Sequence, residues 1–283
     1  MTLKSTGKEP LIVIVSNRGP FSFTEKEKGE FDVERGAGGL VTALGALAEK
    51  HEVLWIASAM SKDDRKWAKE NANNIQKVEG IYLRLVRPSK TAYEKYYGII
   101  ANPLLWFIQH QLWDAPRTPS ITEETWNAWK KGYLPINKLL ANAVIESLKG
   151  VERPVIILPQ DYHLYMMPHY LRKKLGDNVQ IQPFVHIPWP GPDAWRILPK
   201  DMRDTLLLSL LQSNRIGFQT KQDAFNFVQT CRFHLPNAHS RGTRNTIFID
   251  NREVGSLPYP ISVDVEKVEA LAEETQTRLL KSE

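Results

Sequence analysis

The segment of residues 155–192 constrains the fold more strongly than any other part of this sequence. It contains two short apolar runs, residues 155–158 and 181–187, on either side of a stretch whose apolar residues recur at helical spacing. This order predicts a strand, a helix and a second strand, which is the repeating unit of a parallel α/β sheet. Most of the chain follows the same alternation, so we expect an α/β protein with one doubly wound, parallel, Rossmann-like sheet.

Polar side chains follow both strands of this unit. Asp161 and His163 come directly after the first predicted strand, and His186 lies at the end of the second. In open parallel sheets, ligands bind outside the carboxyl ends of the strands. We therefore expect these three side chains to face one crevice.

Apolar runs predict the other strands, at residues 11–15, 53–57, 81–86, 213–219 and a hairpin at 247–255. The first of them ends in a polar turn that carries Arg18, which puts a cation at a carboxyl end of the same sheet. Residues 21–36 are predicted to form a hairpin or a mobile loop. We expect one domain over residues 1–264 and a C-terminal helix or linker over residues 265–283.

A glycine-rich segment, residues 36–40, opens the helix predicted for residues 41–50. Gly38 and Gly39 allow close backbone approach, and free N–H groups at a helix start suit a phosphate or a carboxylate. The spacing is neither that of the dinucleotide fingerprint nor that of the P-loop. A glycine-rich segment that only turns a corner is the alternative interpretation.

Composition narrows the possible functions. The net charge is only +5, and basic residues alternate with acidic ones, so the sequence lacks the basic stripe typical of nucleic-acid binding. No apolar run reaches the roughly 18 residues of a membrane span, and no secretory signal is visible. The single cysteine, Cys231, is interpreted as a small buried hydrophobe and predicts a reducing, cytoplasmic location. His163 and His169 are not at ligand spacing, so we predict no metal site and no cofactor.

Aromatic residues are concentrated between residues 93 and 133, in a region whose pattern predicts helices. An aromatic stripe at helical spacing more often belongs to the core than to a ligand site. Tyr97 and Trp106 lie on either side of a segment with glycine and proline, and they are the better candidates for exposure in a cleft.

Several motifs, in the order in which they occur, resemble those of the trehalose-6-phosphate synthases, which are retaining GT-B glycosyltransferases of family 20. They are Ser16-Asn17-Arg18, R-G-A-G-G-L at 35–40, Tyr96-Tyr97 with Trp106, D-Y-H-L at 161–164, H-I-P-W-P at 186–190, G-F-Q-T at 217–220 and P-I-S-V-D at 260–264. The resemblance covers nearly the whole chain. It implies the N-terminal, acceptor-side half of a GT-B enzyme with two facing Rossmann-like domains.

The same resemblance implies an activity without a metal. Glucose would pass from UDP- or GDP-glucose to glucose 6-phosphate with retention, giving trehalose 6-phosphate. The second domain of the family supplies the contacts to the donor diphosphate, and the chain stops where the linker to that domain would begin. We therefore expect the chain alone to be inactive and to need a donor-binding domain in cis or in trans.

Residue roles follow from the resemblance, position by position. The acceptor's phosphate would be held by Arg18, Tyr97 and Trp106. Gly38 and Gly39 would belong to a mobile loop between the acceptor and donor phosphates. Asp161 would contact the acceptor sugar, and His186 would lie beside the donor sugar.

Each of these residues also has a structural interpretation. Arg18 could pair with a carboxylate and hold its loop, and Asp161 could cap the helix that begins near Leu164. His186 could be a hydrogen-bonded core histidine. The residues alone do not decide between the two interpretations.

Two functional alternatives remain open at the level of the sequence. N-R-G-P at 17–20 and P-W-P-G-P-D at 188–193 resemble a subgroup that includes pseudo-glycosyltransferases such as validoxylamine 7'-phosphate synthase. The chain could also be a sugar-phosphate-binding module without catalysis. An apolar face left open by a missing second domain predicts weak self-association, and so a possible homo-oligomer.

Overall fold

The computed structural model describes residues 9–36, 50–72, 74–112, 119–241 and 245–261, with a few further positions between 41 and 48 and between 265 and 273. Gly38 and Gly39 lie outside the described residues. The same is true of the domain boundary expected after residue 264 and of most of the expected C-terminal helix.

Strands make up the centre of the described part of the chain. They are β1 Leu11–Arg18, β2 Phe21–Glu25, β3 Phe31–Arg35, β4 Val53–Ser58, β5 Gln76–Val78, β6 Ile81–Val86, β7 Val155–Pro159, β8 Gln180–Ile181, β9 Phe184–Val185, β10 Arg215–Phe218, β11 Thr246–Ile249 and β12 Arg252–Pro258. The predicted hairpin of residues 21–36 is confirmed, because β2 and β3 pair antiparallel.

The α-helices whose bounds the structure gives surround the strands, and further helical positions occur among the described residues between 41 and 50 and between 265 and 273. These α-helices are α1 Lys62–Glu70, α2 Lys90–Lys95 continued by Tyr96–Trp106 and Phe107–His110, α3 Glu123–Ala128 continued by Trp129–Tyr133 and Leu134–Ser147, α4 Met167–Leu175, α5 Lys200–Leu210 and α6 Lys221–His234. The middle segments of α2 and α3, Tyr96–Trp106 and Trp129–Tyr133, are π-helical.

Two sheets contain most of these strands. The larger has the order β5-β6-β4-β1-β7-β8, and the smaller has the order β11-β12-β10-β9. Neighbouring strands are parallel except at the two outer pairs, β5 with β6 and β11 with β12. A parallel bridge between Gln160 and Phe184 joins the two sheets. The predicted doubly wound α/β sheet is therefore confirmed.

One predicted strand is wrong. Residues 181–187 do not form a single strand, because Pro183 has no N–H with which to continue a ladder. β8 pairs with β7 in one sheet, and β9 pairs with β10 in the other. Each sheet therefore ends at the short β8–β9 segment, and the chain passes from one to the other at this point.

Both faces of the central strands are buried. Every residue of β4 and the first seven of β1 are buried, as expected for the continuous apolar runs of a parallel sheet. Trp55 in β4 is fully buried, and its Nε1–H donates to Ser16 Oγ at 2.8 Å. This bond satisfies the indole donor and fixes the end of β1.

The π-helical segments of α2 and α3 pack against each other with aromatic side chains. Tyr96, Trp129 and Tyr133 are buried there, so for these residues the interpretation as core is confirmed. A Cβ atom on Gly132 would lie 2.6 Å from Lys95 Cβ and 2.7 Å from the backbone nitrogen of Tyr96. Only glycine therefore permits this distance between the two helices.

Cys231 is fully buried on α6, in agreement with its interpretation as a core residue. Burial also raises the pKa of its thiol well above the usual value. In the part of the chain that the structure describes, no helix is both long and apolar enough to cross a membrane.

Candidate functional site

The candidate site lies at the topological switch point of the sheet. The chain adds β4 and β6 on one side of β1 and β7 on the other, so a crevice opens between the carboxyl ends of β1 and β7. Arg18 is the last residue of β1, and Asp161 follows β7 closely. The N–H of Gln160 donates to the carbonyl oxygen of Val15 at 2.8 Å, which holds the two ends side by side.

Arg18 presents a free cation at this crevice. The register of β1 against β4 shifts between Ser16 and Arg18, and Ser16 Oγ donates to the Arg18 carbonyl oxygen at 2.6 Å. The Arg18 side chain is exposed, and its guanidinium has no hydrogen bond or ion pair with any residue that the structure describes. The interpretation of Arg18 as half of a structural ion pair therefore finds no partner among these residues.

Asp161 has a strained backbone. Its φ of 70° and ψ of 178° are a combination that residues with a side chain rarely adopt, and such strain costs about 1–3 kcal/mol. The side chain does not cap the 3₁₀ turn Tyr162–Leu164, so the capping interpretation is wrong. Instead, Oδ1 accepts the backbone N–H of His186 at 3.2 Å.

The environment of Asp161 also perturbs its protonation. Burial raises the pKa of the carboxyl to about 7, and the N–H groups of Tyr162, His186 and Ile187 oppose this shift only in part. A carboxyl group whose pKa lies near neutrality, in a crevice and under backbone strain, has the properties typical of a functional residue.

His186 is half-buried beside Asp161. Its Nε2 lies 2.9 Å from Oε1 of Gln160, and its ring packs on Phe184 with 4.5 Å between the centroids. Burial lowers the pKa of His186 to about 4, so the imidazole is neutral at physiological pH. The two polar corners expected to face one crevice lie next to each other, because Asp161 Oδ1 accepts the backbone N–H of His186.

A column of four aromatic rings connects the end of β1 to the end of β7. Tyr97 stacks on Tyr93 with centroids 5.8 Å apart, and on His163 at 5.9 Å, with interplanar angles of 11° and 12°. His163 in turn contacts Tyr162 at 4.0 Å. Tyr97, which is exposed, is therefore one of the two inner rings of a column whose ends lie next in the chain to Asp161 and, through Asn17, to Arg18.

Hydrogen bonds fix both ends of this column. The hydroxyl of Tyr93 donates to Asn17 Oδ1 at 3.2 Å, next to Arg18 in the chain. The hydroxyl of Tyr162 donates to Asn102 Oδ1 at 2.8 Å. The rings are therefore held from β1 on one side and from the π-helical segment of α2 on the other.

His163 is one of the two inner rings of the column, and its imidazole is neutral. Its Nε2 is buried without a hydrogen-bond partner, and burial lowers the pKa to about 3. No cationic form of this histidine is therefore populated near neutral pH. Its role in the structure is that of an aromatic ring rather than of a base.

The π-helical segment carries both Tyr97 and Trp106. In an α-helix of 3.6 residues per turn, positions nine apart lie on opposite faces. The wider i→i+5 turn of a π-helix brings such positions closer to the same face. Trp106 is partly buried and packs on His110 with centroids 4.3 Å apart, so its ring contact is within α2 and not with Tyr97.

Sequence reasoning did not assign a role to several residues of the site. Gln160 and His163 stand in the same polar corner as Asp161, and this position was the signal that could have given them a role. Tyr93 lies four positions before Tyr97, so helical spacing could have paired the two rings. Among the described residues, no group of three His, Cys, Asp or Glu side chains could hold a metal ion.

Gln160 and His186 also line a small cavity of about 150 Å³. Most of its wall is apolar, with Leu158, Phe184, Tyr259 and Ile261 among its residues. Asp161, which accepts the backbone N–H of His186, does not line this cavity.

Comparison with known proteins identifies the family of this chain. The family model of glycosyltransferase family 20 matches residues 10–281. The chain belongs to glycosyltransferase family 20. Its topology, with the switch point between β1 and β7, is that of the Rossmann-like domain of a GT-B glycosyltransferase.

Relatives within family 20 include two kinds of enzyme. The chain is 31% identical to the UDP-forming alpha,alpha-trehalose-phosphate synthase of Botryotinia fuckeliana, over 92% of this chain and 48% of that protein. It is 30% identical to the validamine 7-phosphate valienyltransferase of Streptomyces hygroscopicus, over 82% of this chain and 47% of that protein.

The structure of this chain also superimposes on a solved structure. The Escherichia coli trehalose-6-phosphate structure bound with UDP-2-fluoro glucose matches with a TM-score of 0.69 and 26% identity, over 91% of this chain and 50% of that one. The chain therefore spans about half the length of the family 20 proteins that it matches.

Proposed function

We propose that this chain is the acceptor-side half of a retaining glycosyltransferase. The proposed reaction transfers glucose from a nucleotide sugar to glucose 6-phosphate and yields trehalose 6-phosphate. The observation that carries the proposal is the free guanidinium of Arg18 at the switch point, in the same crevice as Asp161. Relatives named as UDP-forming favour UDP-glucose over GDP-glucose as the donor.

The phosphate of the acceptor would bind at Arg18. A guanidinium offers a planar fork that matches two phosphate oxygens, and no described carboxylate competes for it. Tyr97 stacks on Tyr93, whose hydroxyl bonds Asn17 beside Arg18 in the chain, and the exposed ring of Tyr97 suits the edge of a sugar phosphate. Trp106 and the glycines Gly38 and Gly39 complete the proposed phosphate site by resemblance to the family.

Asp161 would hold the acceptor sugar. A carboxylate accepts two hydroxyl hydrogens, and the backbone N–H groups around Asp161 leave part of its oxygen lone pairs free. With a pKa of about 7, the group is ionised in a large fraction of molecules at neutral pH. His186 would lie on the other side, beside the donor sugar.

The transfer itself needs no protein nucleophile. The bond between the sugar's anomeric carbon and the nucleotide diphosphate breaks, and a bond to the acceptor hydroxyl oxygen forms on the same face. The hydroxyl proton goes to the departing phosphate oxygen, so nucleotide diphosphate is the second product. Stabilisation of that departing charge is usually the largest catalytic contribution, and a donor-binding half in cis or in trans would supply it.

A second candidate is the pseudo-glycosyltransferase reaction. The 30% identity to a validamine 7-phosphate valienyltransferase favours it, since that relative's name describes transfer to a cyclitol phosphate. Arg18 would serve the same purpose in both reactions, because both acceptors carry a phosphate. Relative affinity for glucose 6-phosphate and validamine 7-phosphate separates the two candidates.

Titration calorimetry with glucose 6-phosphate tests the acceptor site on this chain. A charge-assisted bidentate bond contributes about 1.5–3 kcal/mol, so Arg18→Ala should weaken binding roughly ten- to a hundredfold. Arg18→Lys should recover only part of the affinity, because an ammonium cannot form the fork. Arg232→Ala, at an exposed arginine of α6, is the matched control and should bind like the wild type.

A melting curve accompanies each titration. Arg18 is exposed and unpaired among the described residues, so its removal should leave the melting temperature unchanged. If Arg18→Ala lowers the melting temperature by several degrees and leaves the affinity intact, the residue is structural and the proposed site is wrong. Affinity for inorganic phosphate equal to that for glucose 6-phosphate would argue for the non-catalytic binding of anions.

A further inference from the structure

We propose that Gln160 is a positioning residue that fixes the tautomer of His186, so that His186 Nδ1 accepts a hydrogen bond from a sugar hydroxyl. The nature of the ligand rests on the proposed function. The tautomer does not, because it follows from hydrogen bonds within the chain.

The orientation of the Gln160 amide is determined by Leu158. Nε2 of Gln160 lies 2.8 Å from the carbonyl oxygen of Leu158, and this oxygen can only accept. A reversed amide would place two oxygen atoms at that distance, which is repulsive. The amide nitrogen therefore faces Leu158, and Oε1 is the atom that faces His186.

The orientation of Gln160 in turn determines the proton on His186. Oε1 of Gln160 lies 2.9 Å from His186 Nε2, and an amide oxygen can only accept. Nε2 must therefore carry the hydrogen. A neutral imidazole has one N–H, so Nδ1 is left with a lone pair.

The surroundings keep this arrangement in place. Gln160 is only 3% exposed, so water does not readily replace its bond to His186. Two other titratable side chains, Arg215 and Tyr259, line the cavity beside His186, and Asp161 bonds only to its backbone N–H. Nδ1 has no hydrogen-bond partner in the described part of the chain, so it is available to a ligand.

An imidazole lone pair distinguishes the hydroxyl groups of a sugar phosphate from its phosphate group. It accepts from a hydroxyl, and it repels the oxygens of a phosphate, which carry negative charge and no hydrogen. Arg18 has the opposite preference. The crevice is therefore polarised, with an anion-binding end at β1 and a hydroxyl-binding end at β9, and Gln160 determines the second of these.

The tautomer is read directly by NMR on protein labelled with ¹⁵N-histidine, through the long-range couplings of ring protons to both nitrogens. The wild type should show His186 with Nε2 protonated and Nδ1 bare. Gln160→Leu removes the acceptor and should give a mixture of tautomers. Gln160→Glu should retain the Nε2–H form and raise the pKa of His186 by about 1–3 units, because a carboxylate favours the imidazolium.

Gln182→Leu is the matched control, since Gln182 lines the same cavity and makes no side-chain bond to His186. It should leave the His186 signals unchanged. A wild-type His186 with Nδ1 protonated would overturn the proposal. So would a Gln160→Leu spectrum identical to that of the wild type, and the Gln160→Glu variant gives a second test if the leucine variant does not fold.

Addition of glucose 6-phosphate and of UDP-glucose tests the contact with the ligand. UDP-glucose, when bound, should shift the Nδ1 signal and leave Nε2 nearly unmoved, and Gln160→Leu should weaken its binding roughly two- to tenfold. Binding that leaves Nδ1 unmoved would overturn the sugar contact. Failure of glucose 6-phosphate to bind the wild type at all would instead contradict the proposed function, and the spectrum without ligand would still report the tautomer.

Discussion

Oδ1 of Asp161 accepts the backbone N–H of His186 at 3.2 Å. This bond joins the carboxyl ends of β7 and β9 at the point where the six-stranded and four-stranded sheets meet. A side chain proposed to hold a sugar is therefore also a joint between two sheets. Mutations at Asp161 should for this reason change stability and binding together.

Asp161→Asn should increase stability at alkaline pH. Burial raises the folded-state pKa of Asp161 to about 7 from its ordinary value of 3.8, so ionisation favours the unfolded state as the pH rises between these values. Asparagine has no charge to bury, its Oδ1 still accepts the His186 N–H, and it tolerates positive φ. The variant should melt at a higher temperature than the wild type at pH 8, and the difference should disappear near pH 4.

The same variant should bind glucose 6-phosphate roughly tenfold more weakly at pH 8, because a neutral amide accepts weaker hydrogen bonds than a carboxylate. Asp250→Asn is a control, since Asp250 also has a positive φ but is exposed, in the turn between β11 and β12. A lower melting temperature for Asp161→Asn at pH 8 would contradict the raised pKa.

The aromatic column predicts that His163 acts through its ring. His163→Phe keeps a ring on Tyr97 and should retain affinity for glucose 6-phosphate. His163→Leu removes the stack, which contributes about 0.5–1.5 kcal/mol, and should weaken binding roughly two- to tenfold. Equal affinity of the two variants would show that the stack does not position Tyr97.

His163 should also make the protein sensitive to acid. Burial lowers its folded-state pKa to about 3 from the ordinary value of 6.5, so the unfolded state takes up a proton first as the pH falls. Stability from this group is therefore present above pH 6.5 and is lost as the pH falls towards 3. His163→Phe should lose less stability than the wild type between pH 6.5 and pH 4, measured by urea unfolding. The contributions of Asp161 and His186 are common to both proteins and cancel in the difference.

Gly132→Ala should destabilise the packing of α2 on α3. The added Cβ would lie 2.7 Å from the backbone nitrogen of Tyr96 and 2.9 Å from the backbone carbon of Lys95. Backbone atoms cannot rotate away, so the helices must separate, at a cost of about 1–3 kcal/mol. Gly98→Ala is the control, since its Cβ would meet no atom within 4 Å. The higher helix propensity of alanine should raise the free energy of unfolding of this variant by about 0.5–1 kcal/mol. Chemical denaturation that shows equal stability for the two variants would contradict this packing.

Weak self-association should depend on the apolar residues that follow β12. Tyr259 and Ile261 are 44% and 51% exposed, beside the cavity next to His186. Exposed apolar surface of this kind favours association. Ile261→Glu should reduce the concentration dependence seen in sedimentation velocity, and Leu208→Glu, at an exposed leucine of α5, should not. A wild type that sediments as a strict monomer at high concentration would contradict the prediction.

The sequence by itself determined the order of strands and helices and the place of the crevice. Apolar runs such as residues 11–15 are long enough to be buried on both faces, so their pattern defines parallel strands without tertiary information. Arg18, Asp161 and His186 each follow such a run. Their position at the carboxyl edge therefore follows from local pattern and from the rule that parallel strands end on one edge.

The tertiary structure alone decided what each of these side chains does there. The break between β8 and β9 depends on which strand each segment pairs with. The strain at Asp161 depends on two sheets that meet at Gln160 and Phe184. The stack of Tyr97 on His163 joins residues 66 positions apart in the chain. Burial, pKa and tautomer are properties of such long-range contacts, and a pattern of neighbouring residues does not contain them.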